Sequence, residues 1–178
     1  MNTEPLEIPV AASAPYPPVE VSGPNLCYAR KISQALGCAK SELSAITAYQ
    51  YQAWVLDADC PELARIIVRI ARVEMHHLDI LGRLVTALGG DPRYACEQHG
   101  RRVCWNSGML SYSRDLRILL ADNIADERKA AAFYEECAGE ITDPLVSVQL
   151  SRLAQDELLH AEIFAGALQK LDGGKPQC

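Results

Sequence analysis

Apolar residues recur at alternating steps of three and four along four stretches of the chain. That spacing lines one face of an α-helix. One stripe holds Leu63, Ile67, Ile70, Leu81, Leu84 and Leu88, and another holds Val146, Leu150, Leu153, Phe164, Ala167 and Leu171. Two shorter stripes run through Ala35, Cys38, Ala45 and Leu56, and through Leu116, Leu120, Ala130 and Cys137. Helix punctuation brackets them. Cys60-Pro61-Glu62 opens one segment, Asp143-Pro144 opens another, and glycines close three of them at Gly89-Gly90, Gly139 and Gly173-Gly174. The pattern predicts helices over about 26–57, 60–88, 113–139 and 143–172. The stretch 89–112 carries Gly, Pro and aromatics and reads as an irregular crossover. Prolines crowd the first 24 residues, which predicts an extended arm over 1–25 ahead of a helical body over 26–175. Such an arm either wraps a partner subunit or hangs free.

Each stripe is broken by polar residues at one level. In the second segment these are Glu74 and His77, and in the fourth Glu157 and His160. The first segment has Glu42, Tyr49 and Gln52, and the third has Asn123, Glu127 and Tyr134. The interruptions repeat. Glu42-x-x-Ala45-x-x-x-Tyr49 recurs as Glu127-x-x-Ala130-x-x-x-Tyr134, and Glu74-x-x-His77 recurs as Glu157-x-x-His160. The chain is two helix hairpins of one design. At the helical rise, each glutamate sits roughly 20 Å from its own hairpin turn. Short turns make the helices of a pair antiparallel, so Glu42 meets Glu74 and Glu127 meets Glu157. The 24-residue crossover over 89–112, at roughly 3.3 Å per residue, spans a helix length. The second hairpin can then pack inverted on the first, bringing all six residues to mid-bundle. The expected fold is all-α: a four-helix bundle of two antiparallel hairpins joined by a long crossover.

Composition narrows the partners. The net charge is −6 with no basic cluster, which argues against a nucleic-acid groove. No apolar run reaches membrane-spanning length. The start of the chain lacks the basic and apolar regions of a secretory signal, so a cytoplasmic location is expected. The 7 cysteines form no CxxC pair and read as reduced thiols, with Cys96 and Cys104 in a reduced loop. Only 4 histidines occur: His76, His77, His99 and His160. Two of them lie on the inward stripes; His76 lies off that face and His99 falls in the crossover.

Four carboxylates and two imidazoles in an apolar core cost too much uncompensated, because like charges repel and desolvated ions are expensive. Two divalent metals cancel the four negative charges. A carboxylate-rich set with one imidazole per metal suits iron or manganese better than zinc or copper. The candidate ligands are Glu42, Glu74, His77, Glu127, Glu157 and His160. Tyr49 and Tyr134, two turns from the glutamates, are candidates to hydrogen-bond a ligand or to donate an electron. A core tyrosine capping the polar layer is an equal reading. Asn123 and Gln52 would orient carboxylates, or bond to nearby backbone.

At these residues the sequence resembles the ferritin-like superfamily in its rubrerythrin and bacterioferritin branch. The segment Ser41-Glu42-Leu43-Ser44-Ala45 resembles a bacterioferritin first helix. Asp126-Glu127-Arg128-Lys129-Ala130 and Asp156-Glu157-Leu158-Leu159-His160 resemble rubrerythrin-type helices. The resemblance implies a di-iron centre that reduces peroxide or O2 and protects against oxidative stress. It would have Glu42, Glu74 and His77 at one metal and Glu127, Glu157 and His160 at the other, with a glutamate or two bridging. Two alternatives belong to the same bundle: iron storage, and manganese-catalase-like disproportionation of H2O2. Rubrerythrins carry a rubredoxin-like tail with paired CxxC motifs. None occurs here, so a separate electron-donor protein is expected. Their additional glutamate is replaced by Ile124 or Ala130. Met75 stands where bacterioferritins ligate haem, but a flank methionine packs more often at an interface, and haem is not expected. A homo-oligomer, dimer or higher, is expected.

Overall fold

The computed structural model describes residues 8–98 and 101–173. Five helices, α1 (Leu26–Gly37), α2 (Glu42–Leu56), α3 (Pro61–Ala87), α4 (Leu116–Glu140) and α5 (Pro144–Asp172), carry the body. A hairpin of β1 (Ala95–Gln98) and β2 (Arg101–Cys104), followed by a short 3-10 turn at Ser107–Met109, fills the crossover. The connection predicted to be irregular therefore contains an antiparallel ladder with Ala95 opposite Cys104 and Cys96 opposite Val103. Its alternating pattern is only four residues long on each side, too short to stand out in the sequence.

The helices begin and end where their punctuation directs. Asp115 caps α4 by accepting the amides of Arg117 and Ile118, and Ser41 caps α2. Pro61 and Pro144 occupy first-turn positions of α3 and α5, where no amide is needed. The α3 terminus turns through Gly89 at φ 85°, a left-handed conformation that favours glycine. The bundle pairs α2 with α3 and α4 with α5, as antiparallel hairpins joined by the crossover.

The predicted single helix over 26–57 is corrected to two helices, with a break at residues 38–41. The cause is the crossover. Gly37 lets the backbone of Tyr94 and Ala95 approach so closely that a Cβ would fall 2.4–2.6 Å from it. Helix α1 ends there, and Ser41 starts α2 afresh. Glu42 thus stands in the first turn of a helix, not in the middle of one.

Two apolar clusters form the core. One gathers Ile32 and Leu36 of α1 with Leu81, Leu84, Tyr134, Val146 and Leu150. The other gathers Tyr49, Leu56, Ile67, Ile70, Leu120 and Phe164. The polar level lies between them. The proline-rich arm is extended from residue 8 and lies on its own bundle: Tyr16, Val19 and Val21 pack on the first cluster, and Val10 on the second. Ser22 donates its amide and its hydroxyl to Asp143, the cap of α5, at 2.7 and 2.9 Å.

Cys27, Cys38, Cys96, Cys104 and Cys137 are not in disulfides, but Cys60 is disulfide-bonded, which corrects the expectation of a wholly reduced set. No local spacing motif announces that bond, because the fold and not the sequence interval sets which cysteines meet. His99 lies outside the described residues. Among the described residues no helix is long and apolar enough to cross a membrane.

Gly37→Ala is expected to lower stability by about 1–3 kcal/mol, since the added methyl forces α1 away from the crossover. Thermal or denaturant unfolding measures the loss; an unchanged midpoint would show that the two segments are not in close contact.

Candidate metal centre

The polar level brings all six sequence-derived candidates together. Glu74 and His77 project from the middle of α3, Glu127 from α4, Glu157 and His160 from α5, and Glu42 from the start of α2. Each is at least 96 % buried, with Glu42 the most exposed at 4 %. His77 Nδ1 lies 3.0 Å from Glu74 Oε2, 3.0 Å from Glu157 Oε1 and 3.9 Å from Glu42 Oε2. His160 Nδ1 lies 2.7 Å from Glu74 Oε1, 3.6 Å from Glu157 Oε2 and 3.7 Å from Glu127 Oε2. Two clusters able to hold a metal ion result: Glu42, Glu74, His77 and Glu157, and Glu74, Glu127, Glu157 and His160. Glu74 and Glu157 belong to both.

Distance and hydrogen bonding diverge here in a telling way. Glu74 Oε1 and His160 Nδ1 are close, yet neither makes an aligned hydrogen bond, and Glu157 Oε1 is likewise without one. Buried polar atoms are nearly always satisfied. Atoms left unsatisfied around a shared space fit a cation held between them.

The proton balance points the same way. Burial, then the charges of Glu157 and Glu74, hold Glu42 well above the carboxylate range. Burial, then Glu74 and Glu157, do the same to Glu127. Burial opposes ionisation of Glu74 and Glu157 as well, but the two histidines overcome it and hold both low. Burial opposes the charged forms of His77 and His160, and the surrounding carboxylates overcome that and hold both imidazoles well above their usual pKa. These shifts favour protons on Glu42, Glu127 and both imidazoles, which offset the charges of Glu74 and Glu157 and which a bound metal would displace.

The tyrosines tie the hairpins together. Tyr49 on α2 donates to Glu127 on α4, and Tyr134 on α4 donates to Glu42 on α2. Burial and these glutamates raise both phenols well above their usual range. Asn123 and Gln52 neither orient carboxylates nor bond to backbone; they form a reciprocal amide pair at 2.8 and 2.9 Å. Met75 is 57 % exposed on the outer flank of α3, and His76 meets Tyr16 edge-on.

A cleft of about 420 Å³ between α2 and α4 leads to Glu42, Glu74, Glu127 and Glu157. Small residues on the facing helices, Ala45, Ala48 and Ala130, leave it open, and Met109 and Leu110 of the crossover form part of its lining. Trp105 anchors this loop by donating to Ser44 Oγ at 2.9 Å.

Sequence reading missed the residues behind the histidines. Asp156 is fully buried and lies 3.0 Å from His77 Nε2. Arg152, one turn earlier on α5, pairs with it at 2.7 Å, and Tyr16 of the arm donates to it. Burial opposes its ionisation, but His77, Tyr16, the Ala12 amide and Arg152 together lower its pKa to about 2. An Arg and an Asp at i and i+4 inside an apolar helix were the available signal; the extended arm gave none.

A four-helix bundle with a buried carboxylate and imidazole cluster defines a ferritin-like protein with a dinuclear metal site. The rubrerythrin family matches residues 37–168, and the chain belongs to it. A probable manganese catalase from Clostridium acetobutylicum is 26 % identical over 171 residues, covering 86 % of this chain and 75 % of that protein. Among solved structures, KatB, a manganese catalase from Anabaena, superposes with a TM-score of 0.78 at 23 % identity, covering 97 % of this chain and 80 % of its own. Bacterioferritin from Rhodobacter capsulatus superposes with a TM-score of 0.71 at 21 % identity, covering 85 % of this chain and 89 % of its own. At these identities the two structures establish the bundle.

Asn123→Leu is expected to strand the Gln52 amide and cost about 1–3 kcal/mol, whereas removing both partners as Gln52→Leu/Asn123→Leu recovers most of that. Chemical denaturation of the two variants measures the difference. Equal losses would mean that the pair is not isolated from water.

Proposed function

We propose that Glu42, Glu74, His77, Glu127, Glu157 and His160 hold two redox metal ions and that the protein consumes hydrogen peroxide there. The observation that carries this is the sharing of Glu74 and Glu157 between two four-residue clusters with unsatisfied oxygens. Two redox metals held by these six residues would supply two-electron chemistry toward the O–O bond.

The chain's own residues shape that chemistry. Glu42 and Glu127 face the open cleft, so the α2/α4 side is where a small oxidant arrives. Tyr134 and Tyr49 restrain these two carboxylates from the opposite hairpin. The histidines lie on α3 and α5 and are closed off behind by Asp156 and the arm.

Disproportionation, in which two peroxides give two waters and one O2 with no outside reductant, is supported by the likeness to the manganese catalases over most of the chain. A second reading, reductant-dependent peroxide reduction at a di-iron centre fed by a separate donor protein, is supported by the rubrerythrin match. Manganese-loaded protein should release O2 from peroxide alone. Peroxide loss only from iron-loaded protein with an electron donor would replace the first reading with the second, and the absence of both would sink the peroxide assignment.

Glu127→Ala should remove one metal and weaken the other, read as metal per chain by elemental analysis; unchanged stoichiometry would overturn the ligand set. Acidification should release metal as protons reoccupy Glu42 and Glu127 and both imidazoles, since all four must be unprotonated to ligate. Retention that does not change with pH in a metal-release titration would argue against these ligands.

A further inference from the structure

The two hairpins repeat Glu-x-x-His, but they do not repeat what stands behind the histidine. His77 Nε2 meets Asp156, the residue immediately before Glu157. The matching position before Glu74 is Val73, which offers His160 no acceptor. His160 Nε2 instead donates to the backbone carbonyl of Val10, in the arm, at 2.8 Å. A ring nitrogen that donates outward leaves the other, Nδ1, as the one that faces the carboxylates. Both histidines are set this way, by two different devices.

The arm is fastened at this spot by Asp156 and Arg152. The Ala12 amide donates to Asp156 Oδ1 at 2.7 Å, and Tyr16 donates to Oδ2 of the same carboxylate. Arg152 donates through Nε to the Ala14 carbonyl at 2.7 Å and through Nη2 to the Ala12 carbonyl at 2.9 Å. Its guanidinium lies 4.1 Å from the centre of the Tyr16 ring. One buried ion pair, Arg152 with Asp156, thus holds the arm with both members and His77 with Asp156.

We propose that residues 10–16 of the arm are a positioning part of the metal centre, with the Val10 carbonyl orienting His160 as Asp156 orients His77. The inference rests on the reading of the cluster as a dinuclear metal site. It assigns the arm a task inside its own subunit and makes the two metals unequal: behind His77 stands a side chain of α5, which the arm only buttresses, and behind His160 stands the arm itself, a segment 150 residues away in sequence.

The test uses Mn(II) alone as the probe, with the full chain and a variant lacking residues 1–11. Orienting partners of ligating histidines contribute about 10–100-fold to metal affinity. The full chain should bind two Mn(II) with the magnetic resonance spectrum of a coupled pair. The shortened chain should keep one and bind the second about 10–100-fold more weakly, which shows as the hyperfine-split spectrum of isolated Mn(II). Far-UV circular dichroism checks that both fold. Where the shortened chain fails to fold, a variant lacking only residues 1–10, which still removes the Val10 carbonyl and keeps Ala12 and Tyr16 on Asp156, is titrated in the same way. Full affinity and a coupled spectrum without the arm would overturn the proposal. So would equal weakening of both metals, the mark of an arm that only stabilises the fold. Failure of the full chain itself to bind a second Mn(II) would instead overturn the dinuclear reading, and this inference with it.

Discussion

Four carboxylates and two imidazoles buried at one level of an apolar bundle must be neutralised, and most of the structure follows from that constraint. Desolvation alone would expel such a layer from the core. Burial and the neighbouring charges favour protons on Glu42, Glu127 and both histidines, which offset part of that charge. The apolar clusters on either side fix where the layer sits. Leu81, Leu84 and Leu150 pack below it and Ile67, Ile70 and Phe164 above, so the six side chains cannot slide toward water without opening one cluster or the other. The core does not merely surround the site; it holds the charges at a separation that a bound cation can relieve.

Openness and closure are divided between opposite faces of the bundle. Toward α2 and α4 the walls are alanines, and the crossover loop shapes the entrance. Toward α3 and α5 the arm covers both histidines through Asp156, Arg152 and its own carbonyls. The interruption of the first predicted helix belongs to this arrangement. The crossover presses on Gly37, the helix stops, and the chain restarts at Ser41. Glu42 is thereby placed in the first turn of α2, facing Tyr134 of the opposite hairpin.

Much of the bundle was legible because its signals are periodic. The Glu-x-x-His pairs broke apolar stripes in register, and helical geometry alone brought Glu42, Glu74, Glu127 and Glu157 to one height. Tyr49 and Tyr134 were legible as members of the polar level. Their crossing to the opposite hairpin was not, because it depends on how the hairpins pack and not on spacing within either. The break at residues 38–41 was hidden for a related reason: its cause, the backbone at Tyr94, lies more than fifty residues away. Gln52 and Asn123 looked like separate helpers of the carboxylates and turned out to satisfy each other.

The arm is the clearest case of information that periodicity cannot carry. Its prolines rule out helix and so predict extension, but extension says nothing of what the strand-like backbone touches. Here the useful groups are main-chain atoms: the Val10 carbonyl, the Ala12 amide and carbonyl, and the Ala14 carbonyl. Main-chain donors and acceptors are present at every residue, so no side-chain motif marks them. The sequence does hold the complementary signal on α5, where Arg152 and Asp156 face the core one turn apart and call for more partners than the facing helices supply. A buried charge pair on a helix that carries ligands, together with an extended segment rich in unpaired backbone groups, is a pairing that physical accounting requires. The broken symmetry between Val73 and Asp156 then says which histidine has no carboxylate behind its Nε2 and takes a carbonyl from that segment instead.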